Sequence, residues 1–306
     1  MAYALPESTF VGIDLSDIHI NDAKHAAVTL GVTNVNFRRE DVVELETGEL
    51  GEFDFIIAHG LYSWVPDFVR DSILAIYKDC LAPNGIGYIS YNAYPGCHIR
   101  DMTRGMMRYH AKSTIDPLEK VEQGKSILRF VAEAAESDSL YQTMLKLELG
   151  QIEERSVQNV FHDDFADLNQ PFYFHEFVDQ ISENGLQYVA EADPISLNTN
   201  DLSAEAREMF GALGDELVRL EQYIDFVRCR RFRSSLICRT NLKPDRNPQP
   251  SVLRRLRVAS HVESASSLDN LSDPVPLRFI GPNEASLEIN HPLTKATLVY
   301  LKNTWS

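Results

Sequence analysis

Two aspartates follow neighbouring predicted strands, and they are the first residues of this chain whose type and spacing suggest chemistry. Asp14 lies near the end of an apolar strand predicted over residues 9–16, and Asp41 ends a short strand predicted from residue 35. Because parallel strands end at the same rim of a sheet, both carboxylates are expected at that rim. One could accept hydrogen bonds from ribose hydroxyls while the other holds the exocyclic amine of an adenine. The pair favours a nucleoside ligand, and solvated loop acids or a helix-capping Asp14 are the alternative.

Two later strand ends carry residues that are expected at the same rim. His59 and Gly60 directly follow an apolar strand predicted over residues 53–58, and Tyr91 and Asn92 close the next strand. Ligands of open parallel sheets bind beyond the carboxyl ends of the strands. These side chains therefore belong to the same candidate site as the two aspartates.

The order of the predicted elements indicates an α/β fold. Helices predicted over residues 17–30 and 69–81 separate the strands, and this alternation builds a parallel sheet with helices on both faces. The expected fold is a Rossmann-like doubly wound sheet, yet no glycine-rich loop precedes the strand at residues 9–16. The first strand of such a sheet is missing from this sequence, so two inner strand edges are expected to lack partners.

Helical additions and a small final unit follow. Helical periodicity extends over residues 99–161 and 204–231, with strands predicted between and after them at 186–190 and 234–238. After a proline-rich linker, strands at 256–262 and within 277–289 precede a final helix predicted from residue 292. The predicted domains are a discontinuous cofactor-binding domain (1–98 and 170–240), a helical insertion or regulatory domain (99–169), a helical excursion (200–232) and a partial winged-helix-like module (244–306).

Composition and charge narrow the classes of partner. The chain has 306 residues, 44% of them hydrophobic, and 45 acidic against 29 basic residues give a net charge of −16. This charge repels phosphate backbones, so it argues against nucleic acid as the main partner and favours a basic protein or peptide. The four cysteines form no C-x-x-C pair, which favours a reducing cytoplasm over a zinc site or disulfides. No membrane span and no signal peptide are predicted.

Two polar clusters are expected to be structural. The histidines and acids at 162–164 and 175–176 lack the ligand spacing of a zinc site, so no metal is predicted. Four arginines within residues 228–233 are expected to neutralise acids of the preceding helix, such as Glu216, Glu221 and Asp225.

Three motifs resemble a known enzyme family. They are the His-Gly-Leu-Tyr-Ser-Trp-Val-Pro run at 59–66, the Ser-Tyr-Asn-Ala-Tyr-Pro-Gly run at 90–96, and residues 222–233. Together they resemble the class I S-adenosylmethionine-dependent methyltransferases, and within these the bacterial enzymes that carry a methyltransferase regulatory domain. That group includes the rickettsial outer-membrane-protein lysine methyltransferases. The resemblance covers nearly the whole chain.

The resemblance implies S-adenosyl-L-methionine as the cofactor and implies its contacts. Asp14, with Leu15 beside it, would hold the ribose, and Asp41 with Val42 would hold the adenine. Residues 59–60 would border the methionine part. The glycine-rich loop of the family is missing before the Asp14 strand, so weak cofactor binding is expected of this chain.

The aromatic residues of these motifs suit a methyl acceptor. Methyl transfer to nitrogen is an in-line displacement, which needs alignment and a neutral nucleophile more than a strong acid or base. Aromatic walls would lower the pKa of a buried lysine amine and still tolerate a cation. The predicted catalytic set consists of four aromatic residues and one amide that could orient the amine through its carbonyl: Tyr62, Trp64, Tyr91, Tyr94 and Asn92. Alternatively, the aromatic residues pack the helical insertion onto the sheet rim.

The expected function is that of a cytoplasmic S-adenosylmethionine-dependent methyltransferase that N-methylates lysine on a protein or peptide. A homodimer is the candidate assembly. A small molecule is the alternative acceptor, and a non-catalytic regulatory protein with a vestigial cofactor fold is the alternative class. Residues 92–95 differ in order from the Asn-Pro-Pro-Tyr box of nucleic-acid amino methyltransferases, so base methylation is disfavoured.

Overall fold

The computed structural model divides the chain into two compact units, Met1–Lys243 and Pro244–Ser306. Within the described ranges, no helix is both long enough and apolar enough to cross a membrane. The structure describes residues 1–213, 216–246, 249–256, 258–264, 271–281 and 286–304.

Strands and helices alternate along the first part of the first unit, as the sequence predicts. Ser16 precedes the first helix and caps it, because its hydroxyl accepts a hydrogen bond from the backbone N–H of His19. The elements are β1 (Phe10–Asp14), α1 (Asp17–Thr29), β2 (Val35–Arg39), α2 (Thr47–Leu50), β3 (Phe53–Ala58), a 3₁₀ turn (Tyr62–Trp64), α3 (Asp67–Cys80) and β4 (Leu81–Asn92).

Four helices follow β4 and form the predicted helical insertion. They pack around their own apolar cluster, which includes Met107 of the first helix, Leu128 of the second and Val160 of the fourth. The helices are α4 (Cys97–His110), α5 (Pro117–Ala134), α6 (Leu140–Glu153) and α7 (Val157–Phe165).

The chain then returns to the sheet. The predicted helical region at 204–231 consists of two helices, and the two predicted return strands lie side by side, as expected. The returning elements are α8 (Phe174–Glu183), β5 (Leu186–Glu191), α9 (Ala204–Ala212), α10 (Leu217–Arg228) and β6 (Phe232–Arg239).

The strands of the first unit form two separate sheets. One is the parallel pair β1–β2, and the other has the order β3-β4-β6-β5, in which β3 and β4 are parallel and β6 is antiparallel to both neighbours. Among the described strands, neither β1 nor β3 has a partner on its second edge. The predicted interruption of the sheet between these strands is therefore confirmed.

One face of the four-stranded sheet is covered by α3 and α8. Ile89 and Tyr91 of β4 belong to this core, and Tyr77 of α3 packs so closely that a Cβ on Gly87 would lie 2.4 Å from its ring. Only glycine fits at that position of the strand. On the opposite face, Phe55 and Ile57 of β3 are 71% and 48% exposed.

The second unit is a small sheet with one helix. Strands β7 (Glu263–Ser264), β8 (Leu277–Ile280) and β9 (Ser286–Ile289) pair in antiparallel order, and the helix α11 (Pro292–Thr304) follows. The strand predicted at 256–262 is wrong: residues Pro250–Arg255 form a 3₁₀ turn, and pairing begins only at Glu263. Leu256 and Val258 are more than half exposed, so the apolar residues of that segment have no core to bury them.

Candidate active site

The two aspartates lie at the same end of neighbouring strands. Asp14 ends β1, and Asp41 follows β2, which is parallel to β1 and pairs with it. The Asp14 carboxylate accepts the Ser16 N–H at 2.7 Å, and that of Asp41 accepts the Val43 N–H at 2.9 Å. Ser16 caps α1, so Asp14 is not the helix cap of the alternative interpretation. The backbone N–H of Glu40 donates to the Asp14 carbonyl at 3.1 Å and ties the two strand ends together.

The other predicted cofactor residues occupy the loops beyond the strand ends. Leu15 is 57% exposed, whereas Val42 packs against the main core. The Gly60 N–H donates to the Ser90 hydroxyl at 2.8 Å, and Gly60 adopts a φ of +63°, a conformation that favours glycine. The Nδ1 atom of His59 lies 3.2 Å from the same hydroxyl, so Ser90 connects the end of β3 to β4.

Two of the predicted catalytic aromatic residues lie in the core. Tyr62 is fully buried and donates its hydroxyl hydrogen to Gln180 at 2.8 Å. Tyr91 is 1% exposed and stacks on Phe177 of α8, with ring centroids 4.2 Å apart. Burial raises the pKa of both phenols above the usual range. These two rings therefore pack behind the rim against α8 and Phe172, not against the helical insertion as the alternative interpretation expects, and they do not line an open slot.

Trp64 and Tyr94 remain partly accessible and belong to two aromatic groups. Trp64 meets His162 of α7 edge-on, with ring centroids 5.7 Å apart. Tyr94 stacks on His98 at 4.0 Å and donates its hydroxyl hydrogen to Asp101 at 3.0 Å. Desolvation, reinforced by the Asp101 carboxylate, raises the pKa of Tyr94, so its hydroxyl stays protonated. Both rings thus connect the rim to the helical insertion.

Asn92 closes β4 and is only 5% exposed. Its backbone N–H donates to the Ser63 hydroxyl at 2.9 Å, and its carbonyl accepts the Phe172 N–H at 3.0 Å. Its side-chain Nδ2 donates to Oδ1 of Asn169 at 2.7 Å. No described residue donates a hydrogen bond to Oδ1 of Asn92. The amide therefore offers one free acceptor at the end of the strand.

Sequence reasoning missed the segment that lies beside this amide. Residues 169–172 precede α8, and Phe172 forms a parallel bridge with Ala93. The segment is short, contains a proline and shows no periodicity, so its sequence carries no signal of a strand. Only the fold shows that Asn169 and Ser63 belong to the candidate site.

Each of the four arginines within residues 228–233 has an acidic partner. Arg231 pairs with Glu148 of α6, and Arg228 pairs with Asp201. Arg233 is fully buried, with Glu221 and Asp225 of α10 each 2.9 Å from its guanidinium. The predicted pairing with acids of the preceding helix is confirmed at these two residues, whereas the other predicted acid, at position 216, pairs with a different arginine.

Comparisons with known proteins agree with this architecture. A family model described as "Methyltransferase domain" matches residues 1–165, and one described as "Predicted methyltransferase regulatory domain" matches residues 156–239. The chain is 33% identical over 303 residues to the uncharacterized protein RP789 of Rickettsia prowazekii (strain Madrid E), covering 97% of this chain and 54% of that protein. It is 33% identical over 180 residues to the uncharacterized protein RP028 of the same organism, covering 58% of this chain and 72% of that protein.

A solved structure extends the similarity to three dimensions. PKMT2 from Rickettsia typhi in complex with AdoHcy matches with a TM-score of 0.84 and 28% identity, over 99% of this chain and 59% of that one. The chain thus spans little more than half the length of RP789 and of PKMT2. The methyltransferase-domain match covers more than half of the 306 residues. The chain therefore belongs to the methyltransferase domain family, with a methyltransferase regulatory domain following it.

Proposed function

We propose that this chain is the catalytic part of an S-adenosyl-L-methionine-dependent methyltransferase that methylates lysine on a protein or peptide. The observation that carries the proposal is the similarity of nearly the whole chain to AdoHcy-bound PKMT2. AdoHcy is the product that S-adenosylmethionine leaves after giving up its methyl group. Because the chain spans only part of its relatives, activity and substrate are proposed here for the protein that carries it.

The residues at the strand ends fit the cofactor. Asp14 and Asp41 are acceptors at the ends of adjacent parallel strands, which suits a ribose and an adenine amine of one nucleoside. Leu15 and Val42 lie beside these acids in sequence, and residues 59–60 directly follow β3, a strand of the other sheet. When bound, S-adenosylmethionine supplies an electrophilic methyl group. The proposed cofactor domain is residues 1–98 and 170–240, with the helical insertion at 99–169 and excursion at 200–232 as additions.

Asn92 suits an amine acceptor. A lysine amine must be neutral to attack a methyl group, and its ordinary pKa of about 10.4 keeps it charged at neutral pH. The free Oδ1 of Asn92 can accept a hydrogen bond from the amine and aim its lone pair, while partly buried Trp64 and Tyr94 exclude water nearby. The net charge of −16 favours approach of cationic segments, which supports a lysine-containing protein substrate.

The compartment is part of the same proposal. None of the four cysteines is in a disulfide; three are buried and one is exposed. An exposed free thiol suits a reducing compartment such as the cytoplasm.

Transfer of a labelled methyl group tests the proposal. We would incubate the 306-residue chain, and the same chain within its full genomic reading frame, with methyl-labelled S-adenosylmethionine and a cell extract. The expected result is label on a polypeptide, mapped by mass spectrometry to lysine. Label confined to small molecules would identify the alternative acceptor class. Tight cofactor binding by calorimetry without any transfer would identify a regulatory protein and refute the enzyme.

A further inference from the structure

We propose that Asn169 is a positioning residue that holds the Asn92 amide so that its Oδ1 faces the methyl acceptor. This inference rests on the proposed function and assigns a role to a residue outside the match to the methyltransferase domain, which ends at residue 165. Asn169 lies within the regulatory-domain match at 156–239. The regulatory region therefore completes the acceptor site of the catalytic domain.

Backbone pairing brings Asn169 to the end of β4. The Phe172 N–H donates to the Asn92 carbonyl at 3.0 Å, and the Tyr94 N–H donates to the Phe172 carbonyl at 2.9 Å. These bonds and the parallel bridge between Ala93 and Phe172 add a short strand-like segment beside the rim. Asn169 lies three residues before this bridge.

A second set of contacts fixes the same segment from the side of β3. The Gln170 N–H donates to the Ser63 carbonyl at 2.8 Å, and the buried guanidinium of Arg70 donates to Oε1 of Gln170 at 2.7 Å. The guanidinium also lies over the Phe172 ring, 5.2 Å from its centroid. Asn169 therefore occupies a defined position between two anchored neighbours.

The orientation of the Asn92 amide depends on Asn169. The backbone N–H and carbonyl of Asn92 are both bonded, so rotation of the side-chain amide is the freedom that remains. The 2.7 Å bond from Nδ2 to Asn169 Oδ1 fixes that rotation and leaves Oδ1 open. With the amide reversed, N–H donors would face the amine and compete for the lone pair that must attack the methyl group.

Asn169 leaves one of its own polar atoms unsatisfied. Its Nδ2 is buried without a hydrogen-bond partner among the described residues. A buried donor without a partner destabilises a fold, so an apolar residue would serve packing better. This observation favours a role in chemistry over a role in stability.

Two variants whose side chains have the same number of heavy atoms and the same branch at Cγ separate these roles. Asn169→Leu removes the acceptor and should lower kcat for lysine methylation at least tenfold, because misalignment of a reacting group has effects of that size or larger. Its affinity for S-adenosylmethionine should stay at the wild-type value, and its melting temperature should not fall. Asn169→Asp keeps an oxygen acceptor and should restore kcat to within about threefold of wild type.

A double-mutant cycle and an NMR measurement test whether Asn169 acts through the Asn92 amide. In an Asn92→Ala background, Asn169→Leu should add no further loss of kcat, and an undiminished loss there would overturn the proposal. The Nδ2 hydrogens of Asn92, assigned by their absence in Asn92→Asp, should be protected from exchange in wild type and lose protection in Asn169→Leu. Unchanged protection would overturn the positioning role whether or not the protein methylates lysine, so this readout is independent of the proposed function.

Discussion

Asn92 divides its hydrogen-bonding groups between structure and chemistry. Three of them have protein partners, in Ser63, Phe172 and Asn169, and one acceptor remains open. Polar groups on a side chain that is 5% exposed are normally satisfied within the protein. An open acceptor on an otherwise fixed amide is the arrangement expected where an outside donor binds.

Replacing either rim aspartate should weaken binding of S-adenosylmethionine. Asp14→Asn and Asp41→Asn each remove a charged acceptor, and hydrogen bonds to charged groups contribute about 1.5–3 kcal/mol. We expect an affinity loss of about tenfold or more in calorimetric titrations, measured within the full genomic reading frame. The control is Asp54→Asn, an exposed carboxylate within β3. Wild-type affinity in both rim variants would contradict the assignment.

The residue types at the rim could be predicted from sequence, but their orientation could not. Asp14 and Asp41 follow directly from strand ends. Tyr62 and Tyr91 also lie close to strand ends, yet both rings are buried against Phe177, which the chain supplies only in α8. Whether such a ring points outward is decided by an element distant in sequence, so local pattern carries no information about it.

Among the elements, β5, β6 and α10 are held together by a buried ionic cluster. Arg233 of β6 lies between Glu221 and Asp225 of α10 and is 3.6 Å from Glu191 of β5. Its guanidinium also covers the Phe174 ring at 3.7 Å. Removing one member of such a cluster leaves an unpaired buried charge, whereas an intact cluster fixes the register of its elements.

This cluster should make stability depend on pH near neutrality. Burial, only partly offset by Arg233 and the Ser234 N–H, raises the pKa of Glu191 to about 7. The folded state then binds a proton more tightly than the unfolded chain, so the free energy of unfolding falls as pH rises from about 4.5 to about 7. The expected decrease from this group is at most about 3 kcal/mol, measurable by urea unfolding across that range.

Glu191→Gln removes the titrating group and should flatten this dependence. The exposed Glu183→Gln serves as the control and should keep the wild-type slope. Asp225, whose pKa burial also raises, acts in the same direction and leaves a residual slope in the variant. If the free energy of unfolding of Glu191→Gln had the same pH dependence as wild type, the proton taken up on folding would be bound by a group other than Glu191.

At the scale of the whole molecule, the interrupted sheet is the dominant feature. Neither β1 nor β3 has a second strand partner within the described ranges, and Phe55 and Ile57 of β3 are exposed. Unpaired edges with apolar side chains are templates for pairing with another chain. This interruption could be predicted from the missing glycine-rich loop and first strand of the sheet, because it depends on which elements are present and not on side-chain packing.

A charged residue on β3 should reduce self-association of the protein. Ile57→Lys places a lysine on the β3 strand, and lysine on an edge opposes strand pairing. We expect less concentration-dependent association by light scattering, with an unchanged melting temperature because Ile57 is already 48% exposed. Ile18→Lys removes an equally large side chain from α1, where Ile18 is 71% exposed, and should leave association unchanged. Equal effects of both variants would trace association to general hydrophobicity.

The pairing of residues 169–172 with the end of β4 also decides how this protein can be recombined with its relatives. The two family matches overlap at residues 156–165, which invites a chimera joined there. Such a junction would take Asn92 from one parent and Asn169 from the other. A working chimera therefore needs the end of β4 and residues 169–172 from the same parent. We expect specificity for the methyl acceptor to be inherited with these two segments together, although the boundary between the two family matches separates them.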